Sequence, residues 1–322
     1  MRILTGDSKD ALGGVEEKSV QCCVTSPPYW GLRDYGVHGQ LGLEKTPEEY
    51  VEKLVAILRE VKRVLKNDGT LWLNLGDSYW NNFGGGSGTC TTGNAKALQA
   101  RGRQNKPKSN DYKIKDLVGI PWMVAFALRS DGWYLRSDII WNKPNPMPES
   151  VTDRPTKAHE YIFLLSKSQK YYYDAEAIKE QAVDNPDRER FVYNSNHKRD
   201  YNTKYKGTKM GGGGTSFKGH SGNRKSNWEL INKDGNRNKR SVWTITTKPY
   251  SEAHFATFPE ALPKTCILAG SKPGDTILDP FSGSGTTGKV ALSLGRDYVG
   301  IELNPEYVKL HDNRITQIGM EI

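Results

Sequence analysis

Cysteine is scarce in this chain: four residues in 322, at positions 22, 23, 90 and 266. None is spaced as C-x-x-C, which argues against a zinc site or a disulfide framework, and no metal is expected. Apolar residues make up only 36% of the sequence, and no apolar run approaches the length of a membrane span. The start, Met1 to Asp7, enters a strand-like segment directly, without a signal-peptide core. A soluble, cytoplasmic protein without membrane contact is therefore expected. Mean hydropathy is −0.69, so part of the chain should be polar and loosely packed. Acids are scarce in one stretch. Between Arg190 and Arg240, thirteen Lys or Arg face three acids, a charge of +10 in a chain whose total is +9. One segment holds the whole positive excess.

What is present reads as alternating strands and helices. Ile3-Leu4 and Val20 to Thr25 have the short, apolar look of buried strands. Thr46-Pro47-Glu48-Glu49 predicts a helix start, with Thr46 as N-cap, Pro47 at the first helical position and Glu49 completing a capping box. Val51, Leu54, Val55, Leu58, Val61 and Leu65 continue it at helical period until Asn67-Asp68-Gly69, and Thr70 to Leu75 is the next strand. A glycine-rich, then basic, loop is expected over 83–111. A helix over 116–130 and strands over 133–141 and 160–165 follow. Residues 175–240, with four consecutive glycines at 211–214, suit an insert better than a core. Order returns in a βαβα unit: Pro259 to Ala269 helical, Thr276 to Asp279 a strand, a glycine loop from Phe281 to Gly288, a helix to Leu294, a strand over Tyr298 to Glu302, and a helix from Pro305 to Ile315. The expected architecture is an open α/β sheet.

Two stretches carry chemistry. Thr25-Ser26-Pro27-Pro28-Tyr29-Trp30 follows the second strand. Paired prolines fix φ, remove two N–H groups and push their predecessors to extended backbone, so a stiff corner forms at the strand's carboxyl end. Open α/β sheets place ligands there. Asp279-Pro280-Phe281-Ser282-Gly283-Ser284-Gly285-Thr286-Thr287-Gly288 lies between a strand and a helix, where glycines let a ligand approach the backbone. Glu302 ends the next strand, nineteen residues past Gly283, placed to accept from ribose hydroxyls. A dinucleotide fingerprint fits poorly because Asp279-Pro280-Phe281 intervenes between strand and glycines. A P-loop fails because Lys289 is followed by Val290.

The SPPY stretch and the DPFSGSGTT stretch together resemble the S-adenosylmethionine-dependent DNA amino-methyltransferases. With SPPY amino-terminal, the glycine motif carboxyl-terminal and the basic region between, the order resembles the circularly permuted β class. The resemblance implies a Rossmann-like methyltransferase sheet, circularly permuted, built from 1–174 and 241–322 and carrying a basic target-recognition insert at 175–240. It implies that Ser26, Pro27, Pro28 and Tyr29 are catalytic. Ser26 Oγ and the Pro27 carbonyl would orient an exocyclic amine, and Tyr29 would stack on a base extruded from the duplex. It assigns Asp279, Phe281, Gly283, Gly285 and Thr286 to the S-adenosylmethionine pocket, Glu302 to the ribose, Asp7 to the adenine side, and His254 to a segment closing over the methionine end.

In the insert the cations are interleaved with Tyr193, His197, Tyr201, Tyr205, Phe217 and Trp228, a composition suited to double-stranded DNA. Arg199, Lys204, Lys206, Lys209, Arg224 and Lys225 are the expected phosphate contacts. No cysteine has the preceding proline of the carbon-5 cytosine enzymes, so the cysteines are read as core. SPPY resembles the cytosine-N4 enzymes, whereas adenine-N6 enzymes usually carry Asp or Asn in place of Ser26. Adenine-N6 methylation, methylation of RNA or a protein amide, and a nucleic-acid-binding protein with a decayed catalytic fold stay open as alternatives. A partner restriction endonuclease, and a monomer or homodimer, fit the resemblance.

Overall fold

The structure is a computed structural model that describes residues 1–80, 111–182, 236–247 and 258–311. His254, the six cations named for DNA contact and nearly all of the 83–111 loop lie outside the described residues. The chain falls into two compact units, Met1–Ile178 with Arg240–Ile322, and Lys179–Lys239.

The larger unit is built on one eight-stranded sheet. Its elements in chain order are β1 (Arg2–Thr5), α1 (Ser8–Leu12), β2 (Val20–Thr25), α2 (Pro47–Val64), β3 (Leu65–Leu75), α3 (Ile120–Ser130), β4 (Tyr134–Asn142) and β5 (His159–Ser166). The smaller unit contributes β6 (Glu180–Gln181) and β7 (Asn236–Arg237), an antiparallel pair in which Arg237 and Lys239 both reach Glu180. β8 (Val242–Thr244), α4 (Ala261–Gly270), β9 (Thr276–Asp279), α5 (Thr286–Ser293) and β10 (Asp297–Glu302) complete the larger unit, and residues 305–311 are helical.

The sheet runs β1-β10-β9-β2-β3-β5-β4-β8. The first five strands are mutually parallel, and β5 is antiparallel to both β3 and β4. Helices cover both faces, so the central strands are buried over most of their length, as parallel strands packed on both sides are. The period of two still sorts them. Cys23, Leu71 and Leu73 pack with Leu54, Leu58 and Val61 of α2. Cys22, Val24 and Trp72 pack on the other side with Cys266 and Ile267 of α4 and Val290 of α5. Burying side chains such as Leu54 and Leu58, which have no exposed surface, contributes about 1.5–3 kcal/mol each.

Several element ends differ from the sequence reading. Thr46 caps α2 as expected, its Oγ1 accepting from the Glu49 N–H at 3.2 Å, but the Glu49 carboxylate reaches back to the N–H of Lys45 rather than to that of Thr46. The helix stops at Val64, and Leu65 already pairs with Val20. Residues 66–69 are taken up in a register shift before Thr70 meets Cys22, so Asn67-Asp68-Gly69 lies inside β3. α3 begins at Ile120 rather than 116, because Gly119 at φ 84° sets the turn and Pro121 follows. α5 begins at Thr286, so the glycine loop is shorter than the sequence suggests. α1 was not foreseen: it is five residues long, and Asp7 caps it.

Candidate active site

The sheet order places the two motifs side by side. β9 and β2 are neighbours, with Cys22 beside Ile277 and Cys23 beside Leu278. From β9 the parallel strands step outward through β10 to β1, and from β2 they step the other way to β3. This is a topological switch point, where a crevice opens beyond the carboxyl ends of the strands. Ser26 leaves one of the two central strands and Pro280 the other. Both motifs line a single cleft of about 1030 Å³, at the upper end of the size of small-molecule sites.

Asp279 locks the floor. Its carboxylate is buried, with Oδ1 accepting from Thr25 Oγ1 at 2.6 Å and from the Phe281 N–H at 3.1 Å. Oδ2 accepts from Thr287 Oγ1 at 2.7 Å. One side chain thus ties β2, β9 and the start of α5 together. Burial pushes its carboxyl up to about 6, against the opposing pull of the three hydrogen bonds. Ser8 Oγ donates to the Pro280 carbonyl at 2.6 Å and brings the β1–α1 turn, with Asp7, to the same rim. The Asp7 carboxylate itself accepts from the N–H groups of Lys9 and Asp10.

The glycines have different jobs. Gly283, at φ 53°, has open space where a Cβ would stand, with only the Phe281 carbonyl near, at 4.0 Å. Its N–H donates to Glu302 Oε2 at 2.8 Å, and Glu302 Oε1 accepts from the Asn304 N–H at 2.8 Å. A carboxylate has about four acceptor positions, so Glu302 keeps capacity for a ligand's hydroxyls. Burial pushes its carboxyl upward. Gly285, at φ 80°, is needed for packing: a Cβ there would stand 2.7 Å from His311 Nδ1. Thr286 and Phe281 line the cleft beside Gly283.

The other half of the cleft holds a hydrogen-bonded cluster. Ser26 Oγ donates to Tyr29 Oη at 3.1 Å, and Tyr29 Oη donates to Glu160 Oε2 at 2.7 Å. Asn74 Nδ2 donates to Tyr29 Oη at 2.7 Å and to Glu160 Oε2 at 2.9 Å. Lys143 Nζ pairs with Glu160 Oε1. Burial raises the Tyr29 phenol well above its usual range, and the neighbouring Glu160 adds to the effect. Asn74 Oδ1 is buried and has no hydrogen-bond partner. The Pro28 carbonyl accepts from Tyr50 of α2 at 3.0 Å, which fixes the proline corner from below. Trp30 is core: its indole donates to the Glu44 carbonyl at 3.0 Å and its ring stacks on Trp80 at 5.9 Å.

Asn74, Glu160 and Lys143 were missed by the sequence reading. An Asn inside the apolar run Leu71 to Leu75 was the available signal, since a polar side chain in a fully buried strand needs a reason. Glu160 and Lys143 gave none, because only the antiparallel pairing of β5 with β3 and β4 brings them to this end of the sheet. The three thiols among the described residues, Cys22, Cys23 and Cys266, are buried, and burial raises all three, that of Cys22 to about 12. They are protonated core groups. Among the described residues no cluster of His, Cys, Asp or Glu could hold a metal, and no helix is long and apolar enough to cross a membrane.

Comparison with known proteins shows the family. A family model described as DNA methylase, of the N6/N4 methyltransferases, matches residues 20–313. The chain belongs to this family. It is 46% identical over 322 residues to the Type II methyltransferase M.SmaI of Serratia marcescens, covering 98% of this chain and 90% of the relative. It is also 46% identical over 313 residues to M.Cfr9I of Citrobacter freundii, covering 97% and 87%. Among solved structures, the PvuII DNA methyltransferase, described as cytosine-N4-specific, superposes with a TM-score of 0.62 at 20% identity over 97% of this chain and 85% of that one. That likeness shows the fold: a Rossmann-like methyltransferase sheet in a DNA methylase.

Proposed function

We propose that this DNA methylase transfers a methyl group from S-adenosylmethionine to the exocyclic N4 amine of cytosine in double-stranded DNA. The carrying observation is the direction of the hydrogen bonds at the SPPY corner. Ser26 spends its proton on Tyr29, and Tyr29 spends its own on Glu160. Ser26 Oγ, which lines the cleft, already accepts from Asn74 Nδ2 at 3.4 Å and keeps one further acceptor position, the complement of an amine N–H. An exocyclic amine is a poor nucleophile because its lone pair is delocalised into the ring. Hydrogen bonds to Ser26 Oγ and the Pro27 carbonyl make that nitrogen more tetrahedral, and the prolines hold both acceptors without reorganisation. Tyr29, anchored at its hydroxyl, forms a rigid stacking wall for a base brought out of the helix.

The cofactor half fits S-adenosylmethionine. The open backbone at Gly283, the spare acceptor capacity of Glu302 and a cleft roomy enough for a nucleoside beside a base suit its adenosine and amino-acid ends. Phe281, Thr286 and Asp7 complete that wall, and His254, outside the described residues, is the further cofactor contact of this reading. The donor supplies a methyl carbon on a positively charged sulfur that leaves as a neutral thioether. The insert 175–240, through Arg199, Lys204, Lys206, Lys209, Arg224 and Lys225, grips DNA phosphates and reads the target. The relatives named as Type II methyltransferases support a role opposite a restriction endonuclease of the same specificity. Ser26 at the head of the motif and the cytosine-N4 neighbour favour cytosine over adenine. Digestion of DNA from cells expressing the protein, with mass spectrometry of the nucleosides, should show N4-methylcytosine. N6-methyladenine in its place would overturn the base assignment.

A further inference from the structure

The cluster at the SPPY corner contains more than stacking and amine orientation require. A ring that only stacked would need no carboxylate at its hydroxyl, yet the part-buried Glu160 is held there by Tyr29, Asn74 and Lys143 together. Two other carboxylates of the cleft are spent on structure. Asp279 takes Thr25 and Thr287, and Asp77 accepts from the Gly119 and Ile120 N–H groups at the start of α3. Asn74 donates to Tyr29 Oη as Ser26 does, filling both acceptor positions of that oxygen, so the Tyr29 proton has one direction left, toward Glu160.

We infer that Ser26, Tyr29 and Glu160 form a proton relay that carries the amine's proton away from the target base as the methyl group arrives, with Glu160 as the terminal acceptor. This rests on the base-methylation reading above. When the new nitrogen–carbon bond forms, the nitrogen becomes positive and its N–H strongly acidic. That proton passes to Ser26 Oγ, the Ser26 proton to Tyr29 Oη, and the Tyr29 proton to Glu160 Oε2. The base leaves as a neutral methylamine and Glu160 as a neutral carboxylic acid, so the positive charge delivered with the methyl group is cancelled by the carboxylate. Lys143 pairs with the other oxygen of that carboxylate, Oε1. The side chain of Glu160 is 15% exposed, enough to return the proton to water.

The test compares wild type with Tyr29→Phe, which keeps the ring, and Glu160→Gln, which keeps the shape. In single-turnover methyl transfer to a target duplex, each variant should lose roughly a hundredfold or more, the low end of proton-transfer catalysis. Each should bind S-adenosylmethionine and DNA as wild type does. The wild-type rate should slow in deuterated water, and that isotope effect should vanish in both variants. In the ligand-free protein, the Tyr29 hydroxyl proton should resonate downfield by NMR and move upfield in Glu160→Gln. Folded variants that keep both the rate and the isotope effect would overturn the relay. Variants that lose rate with the isotope effect intact would also overturn it and leave Glu160 a positioning residue. A wild-type protein that yields no methylated base in nucleoside digests would overturn the methylation reading itself.

Discussion

Gly76, just past the end of β3, is the position where one methyl group should separate stacking from cofactor binding. A Cβ there would stand 2.6 Å from Cε2 and 2.8 Å from Cδ2 of Tyr29, where ordinary contact begins at 3.4 Å. Gly76 is not among the residues with positive φ, so alanine meets no backbone strain of its own. The whole cost falls on the ring, which must retreat by close to an ångström. It cannot do so freely, because its hydroxyl is held at 2.7 Å by both Asn74 and Glu160. Overpacking of this kind costs about 1–3 kcal/mol of stability. A misplacement of that size at a reacting centre costs on the order of 10²-fold in rate, or about 2.7 kcal/mol of barrier. Gly76→Ala should therefore fold, bind S-adenosylmethionine with unchanged affinity by calorimetry, and transfer methyl groups roughly a hundredfold more slowly in single turnover. A folded Gly76→Ala protein with the wild-type rate would refute the claim that Tyr29 is rigidly held.

The two glycines of the cofactor loop should respond differently. Gly285→Ala combines a left-handed backbone with a clash on His311 and should lose about 2–4 kcal/mol in urea unfolding. Gly283→Ala meets the same left-handed strain at φ 53° but has room for its Cβ, so it should lose less, about 1–2 kcal/mol, and weaken S-adenosylmethionine at least tenfold, about 1.4 kcal/mol; equal losses of stability with unchanged cofactor affinity would reject the division. Asp279 should give folding a pH slope of definite sign. Its folded pKa of about 6 lies above the ordinary 3.8, so its contribution is present in full below about pH 4 and lost as pH rises through 6. The change is about 3 kcal/mol, read as the difference in unfolding free energy between wild type and Asp279→Asn from pH 4 to 7. A difference that grows with pH would show the opposite shift. Neutralising Lys204, Lys206 and Lys209 together should lower the salt slope of DNA binding by up to about 0.9 per lost phosphate contact, with S-adenosylmethionine affinity unchanged. An unmoved slope would make these lysines bystanders.

Much of this molecule is written locally. The helical period of Val51 to Val61, the Thr46 cap and the apolar runs at β2, β3, β9 and β10 follow from contacts within a few residues, and the described elements formed where those signals stood. The proline corner and the glycine loop were equally legible, because backbone restriction is a property of the residues themselves. Element ends were less so. The extent of β3 depends on a register shift against β2, and the start of α3 on a glycine turn that receives its capping carboxylate, Asp77, from 42 residues away. The functional cluster was least legible. Ser26, Asn74, Lys143 and Glu160 sit on four different strands or strand ends, and they meet only because β5 runs antiparallel between β3 and β4. A motif names the residues that bend the chain at a site. Which distant side chains complete the site is decided by strand order, and strand order is a property of the whole sheet.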